Sequence, residues 1–303
     1  MTQCRNWRLL LTALCCVIYA NIVQAATTSP LPIGKSQFNF IDKKGDASRP
    51  IRVWMYVPKG CDATCPLQFV MHGVKRDGET YLGYWSELAD ASPNQKFIVI
   101  APEFSREHFP HDDDYSLGRS KVEADPERWA FAVTEHLFDE LNTRFALNAT
   151  SYRLFGHSAG GQFVHRLHMF YPTHRAKPII AANPGWYTQF EWGNTDRAYQ
   201  FPYNTIGSKI DANRAIASLK RPFVLMLGDA DIDAQDVNLS KKSGAKAQGA
   251  NRFQRGNRFF ENANEAAQKL NSPFAWQKVI VPNVAHQGQL MSHAAHLYTM
   301  SQK

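Results

Sequence analysis

Beyond its first twenty-odd residues, this 303-residue chain has no long apolar run, which excludes a protein that crosses a membrane several times. Cysteine is scarce, and five residues are too few to build a fold on disulfides. Repeats and low-complexity linkers are also missing, so solenoids, rods and tandem modules are excluded. No Gly-x-Gly-x-x-Gly opens a first helix, and neither a dinucleotide nor a phosphate-cradling loop is expected. Basic residues exceed acidic ones only by 34 to 27. Their one local cluster, Lys241, Lys242 and Lys246, reads as a solvated loop, so no nucleic-acid partner is implied. What is present, 44% apolar, 12% aromatic and 20% charged residues, is enough to bury a large core.

The exceptional run is at the start. Arg5 and Arg8 precede an apolar stretch over 9–23, and Val23-Gln24-Ala25 offers the small residues of a cleavage site. This predicts a secretory signal over 1–25, a single catalytic domain over 26–303 and no membrane anchor after cleavage. Such a chain is secreted or periplasmic. Of the five cysteines only Cys61 and Cys65 then remain, and in an oxidising compartment they are expected to close a small disulfide.

Apolar runs rich in β-branched and aromatic residues recur at 51–57, 67–71, 97–101, 152–155, 178–182, 223–227 and 276–281, as in buried strands. Between them, Asp125-Pro126 reads as a helix start, followed by an apolar stripe at Trp129, Val133, Leu137, Leu141 and Phe145. A second helix is expected from Ser158 to Tyr171, stopped by Pro172. Alternating strands and helices predict an α/β fold, its sheet mostly parallel and covered on both faces.

After the strand at 152–155 comes Gly156-His157-Ser158-Ala159-Gly160-Gly161, then the amphipathic helix. This is the pattern of a nucleophile elbow, in which small residues two before and two after the serine permit a very tight strand-to-helix turn. Ser158 is therefore the candidate nucleophile. A serine hydroxyl is weak at neutral pH and needs a histidine base oriented by an acid. The run at 223–227 ends in Gly228-Asp229-Ala230-Asp231, and Asp231 is the favoured acid, with Asp229 and Asp233 as alternatives. His286 follows the last strand and precedes a C-terminal helix, the right place for the base. His157 is expected to point its ring away from that base. Oxyanion donors are expected from the N–H groups of Ala159 and of Val74 in His72-Gly73-Val74-Lys75, the latter within one residue.

These residues resemble the α/β-hydrolase superfamily over nearly the whole chain beyond the signal. Gly-His-Ser-Ala-Gly-Gly, the run from Asn183 through Pro184, Gly185, Trp186 and Tyr187 to Thr188, and the stretch 252–262 are similar to secreted bacterial esterases of the polyhydroxybutyrate depolymerase and feruloyl esterase type. The resemblance implies a serine esterase working through an acyl-serine on a small or oligomeric ester, with no cofactor. No second domain is expected after the catalytic region, unlike in extracellular polymer depolymerases. A serine peptidase and a non-catalytic binding protein on the same scaffold are the alternatives.

An aromatic-rich insertion around 184–220 contains Trp186 and Tyr187, expected to bind substrate with rigid apolar walls. His165-x-x-His168 and His293-x-x-His296 share helix faces but lack matching carboxylates, so no metal is expected. His111-Asp112-Asp113-Asp114 reads as a solvated acidic loop, and Asn148 and Asn238 begin glycosylation sequons usable only in a eukaryote.

Overall fold

In the computed structural model, which describes residues 28–192 and 199–302, the alternating apolar runs become one eight-stranded sheet flanked by helices. The signal expected over 1–25 lies outside these residues, as does 193–198 of the aromatic insertion. Along the chain run β1 (Gly34–Phe40), β2 (Ile51–Val57), β3 (Leu67–Met71), α1 (Gly78–Asp90), β4 (Ile98–Glu103), α2 (Asp112–Tyr115), α3 (Val133–Phe145) and β5 (Tyr152–His157). They are followed by α4 (Ala159–Phe170), β6 (Ala176–Ala182), α5 (Ala212–Leu219), β7 (Phe223–Gly228), α6 (Ser243–Lys246), α7 (Arg252–Lys269), β8 (Trp276–Val281) and α8 (Gly288–Ser301). All seven expected strands are present. Polar–apolar alternation along β1 adds an eighth, paired antiparallel with β2 at the sheet edge.

The sheet order is β1-β2-β4-β3-β5-β6-β7-β8, with β2 antiparallel to both neighbours and every pair from β4 to β8 parallel. The carboxyl ends of β3, β5, β6, β7 and β8 therefore share one edge, where a parallel sheet presents its ligand site. Both faces are dry. Tyr152 of β5 packs on Phe69 and Phe138, whereas Phe155 packs on Trp85 of α1 from the other side. Each such ring taken from water stabilises the fold by about 1.5–3 kcal/mol.

The helix expected from Asp125 starts later. Asp125 caps only a 3-10 turn, Pro126–Arg128, because Trp129 is extended and buries its indole, which donates to the Glu123 carbonyl. α3 begins at Val133 and buries polar residues outside the predicted stripe, among them Glu135 and His136. Cys61 and Cys65 are disulfide-bonded in the turn before β3. Among the described residues no helix is long and apolar enough to cross a membrane.

Candidate active site

Ser158 is the only residue between β5 and α4. Its backbone sits at φ 58°, ψ −115°, a region that costs a non-glycine residue about 1–3 kcal/mol. The surroundings impose this strain. A Cβ on Gly156 would collide with the Gly160 carbonyl, and one on Gly160 with the Met71 carbonyl, so these two glycines let β3, β5 and α4 touch. The serine side chain is thus held above the sheet edge at the start of α4, whose first N–H groups have no helical partner.

Two later loops reach it. Asp231, after β7, accepts a hydrogen bond from His286 Nδ1 at 2.7 Å on Oδ2, and His286 Nε2 lies 2.9 Å from Ser158 Oγ. With the carboxylate fixing the proton on Nδ1, Nε2 presents a lone pair to the serine hydroxyl. Asp231 is almost wholly buried, and Arg252 of α7 approaches its other oxygen at 3.3 Å while also reaching Asp236 at 3.2 Å. The competing acids are engaged elsewhere: Asp229 accepts from the Asn283 N–H and Asp233 from the Gln235 N–H, both as loop ties.

Ala159 and Val74 flank Ser158 in the wall of one cavity. The loop carrying Val74 is anchored by His72, which is fully buried and whose pKa burial pushes down to about 3. Neutral His72 donates from Nδ1 to the Gly73 carbonyl at 3.1 Å and accepts the Phe104 N–H at Nε2, 3.0 Å.

The cavity encloses about 230 Å³, and its walls are more polar than expected. Trp186 lines it, backed by Tyr203 at 5.1 Å and by the Arg166 guanidinium at 4.2 Å. Arg166 is fully buried, and burial lowers its pKa to about 9 against the opposing pull of Asp113 and Asp112. Asp112, Asp113, Gln162, Asn238 and Lys242 complete the rim, so the acidic and basic clusters read as solvated loops in fact border the site. Tyr187 does not line it: the ring turns inward and stacks on Phe259 at 4.5 Å, because the aromatic next to it in sequence takes the opposite side of the chain.

One further expectation needs correction, and one residue of the site gave no signal of its role in the sequence. The His157 ring does not point away from the base but lies against His286, centroids 4.6 Å apart. Sequence reasoning also used Asn183 only as a family mark. Its backbone adopts φ 41°, its side-chain oxygen accepts the Gly228 N–H at 2.8 Å and its amide donates to the Ala285 carbonyl at 3.2 Å. Asn183 therefore ties the acid loop to the histidine loop. His165 and His168 are consumed by structure, the first bonded to the Gly161 carbonyl and Thr188 N–H, the second to His174 and the Ser218 carbonyl. Among the described residues no cluster of three His, Cys, Asp or Glu side chains is placed to hold a metal.

No family profile matches the sequence, and no curated protein does. Solved structures do. Poly(aspartic acid) hydrolase-1 from Sphingomonas sp. KT-1 is 33% identical over 89% of this chain and 100% of its own, with a TM-score of 0.81. LpqC, a poly(3-hydroxybutyrate) depolymerase from Bordetella parapertussis, is 31% identical over 90% of this chain and 92% of its own, also at 0.81. An S-formylglutathione hydrolase from Agrobacterium tumefaciens, 18% identical over 89% and 95% with a TM-score of 0.51, shares the fold. The strained serine between a parallel strand and a helix, with acid and histidine on later loops, defines a hydrolase of the α/β type. Within that class the chain belongs to the α/β-hydrolase family of the polyhydroxybutyrate depolymerase and esterase type.

Proposed function

We propose that this protein is a serine hydrolase that cleaves carboxylic esters through an acyl-serine. The observation that carries the reading is the unbroken chain Asp231–His286–Ser158, with contacts of 2.7 and 2.9 Å, on a backbone strained to expose the serine. Ser158 Oγ attacks the acyl carbonyl while His286 Nε2 takes its proton. The histidine then returns that proton to the leaving alcohol, and a water repeats the sequence to free the acid. Asp231 holds the imidazole in the required tautomer and balances the charge it gains. The Ala159 and Val74 N–H groups are assigned to the developing oxyanion.

The cavity of about 230 Å³, with its charged rim, favours a short, polar acyl unit and disfavours a long fatty chain. The disulfide suits action in a secreted or periplasmic setting. A second reading, cleavage of an amide, is favoured by the 33% identity to a hydrolase of poly(aspartic acid), a polyamide.

Purified protein and its Ser158→Ala variant are to be compared on p-nitrophenyl esters from acetate to palmitate, methyl ferulate, a peptide anilide and poly(aspartic acid). The expected result is turnover of short esters, lost by at least about 10³-fold in the folded variant. Undiminished turnover by that variant would end the serine assignment, and activity on the amides alone would replace the esterase with an amidase.

A further inference from the structure

One residue of α1, an element that supplies none of the groups named in the reaction, reaches the centre of the site. Tyr81 is buried, and its hydroxyl lies 2.8 Å from His157 Nδ1. A Cβ on Gly288, two residues past His286, would stand 2.9 Å from that oxygen, and a Cβ on Gly73 3.3 Å. The hydroxyl thus occupies the point where the β3 loop, the elbow and the histidine loop meet. His157 in turn lays its ring on His286, the planes tilted by 36°.

Proton counting fixes the tautomer. Burial holds the Tyr81 phenol far above its usual pKa, so it keeps its proton. Burial, followed by the nearby His286 and Arg252, holds His157 well below its own, so the ring is neutral. If Tyr81 O–H donates to Nδ1, the one group of this pair left without a partner is His157 Nε2, which then carries the ring proton. The reverse arrangement would leave both the phenol proton and the Nε2 lone pair buried and unpaired, a larger cost. The other titratable or charged groups around the pair are Asp77 just before α1, Tyr84 on α1, Tyr115 on α2, Asp231 after β7 and Arg252 on α7. A charged His157 would oppose the imidazolium that forms on His286, whereas a neutral ring offers it an electron-rich face.

We propose that Tyr81 and His157 are positioning residues for the hydrolysis assigned above, on which this inference rests. Tyr81 locks His157 as the Nε2–H tautomer, and the neutral ring backs His286 while it holds the serine proton.

Tyr81→Phe keeps the aromatic packing and removes the donor. Expected are a fall in kcat of about tenfold, KM within about twofold, and an acid limb of kcat/KM displaced to lower pH, because the imidazolium loses its backing. His157→Asn retains an acceptor for the phenol but no ring, and displaces the acid limb in the same direction. A purely structural pair would lower Tm and leave that limb in place, which overturns the proposal. In the wild-type protein, 15N spectra of labelled histidine should show His157 protonated on Nε2 across the pH range of the kcat/KM profile. An Nδ1–H tautomer overturns the proposal even if neither variant folds. Turnover surviving in Ser158→Ala would sink the reaction and the inference together. An inert Ser158→Ala beside a wild-type-like Tyr81→Phe would sink the inference alone.

Discussion

Two buried aspartates in this molecule each hold a histidine, and the partners on the far side of the two rings differ. Asp231 holds His286, whose other nitrogen faces the Ser158 hydroxyl at 2.9 Å. Asp42 holds His136 at 2.9 Å, and there the other nitrogen faces the Glu127 carboxylate at 3.0 Å, itself bonded to Tyr171. Burial disfavours a charge on His136, but hydrogen bonds to Asp42 and Glu127 outweigh it and raise the pKa. A ring donating from both nitrogens has no lone pair with which to accept a proton. The hollow beside His136 is also larger, about 430 Å³ against about 230 Å³ at Ser158, yet no serine or cysteine lines it. An Asp–His pair becomes a base only where a hydroxyl replaces the second carboxylate, and cavity size does not mark that place.

The comparison is sharpest when both aspartates receive the same change. Asp231→Asn is expected to lower kcat by about 10³–10⁴-fold, since the amide no longer enforces the Nδ1–H tautomer. Asp42→Asn should leave kcat and KM within about twofold and reduce unfolding stability by about 2 kcal/mol, measured by denaturant titration. Similar losses of turnover in the two variants would erase the distinction.

A smaller effect separates the two histidines by pH. Because the His136 pKa is raised in the folded state, its ion pairs contribute fully below the unfolded value near 6.5, and the contribution is lost as pH rises through the folded pKa. Stability should therefore decline on the alkaline side of that value, and His136→Gln should flatten the decline without altering the pH profile of ester hydrolysis. A Tm against pH curve unchanged by the substitution would remove His136 from the account.

Much of this was legible in the chain. The elbow, the candidate acid and the candidate base all follow apolar-rich strand runs, so local pattern marks both the strand and the loop that follows. Tyr81 carried no such mark, because its proposed role depends on a ring 76 residues away. Orientation was equally hidden. Whether Trp186 or Tyr187 faces the cavity depends on backbone angles in a loop where neither the helical nor the strand period applies, and His157, the last residue of β5, turns where the strand gives way to the strained elbow. The helix start misplaced at Asp125 has a similar cause: burial of the Trp129 indole overrode a good local capping signal.

The proposed base arrives from the rim of the sheet. Among the described residues β8 pairs only with β7, and the loop it delivers meets a serine 128 residues earlier in the chain. An outer strand has one neighbour to hold it, so it detaches at a lower free energy than the centre, where β5 keeps the serine. Heat should then disarm the molecule before it melts, by releasing the last strand while the rest of the sheet still stands. During synthesis the same wiring works in reverse: Ser158 is made 128 residues before His286, so the proposed nucleophile has no base until the histidine loop has followed it.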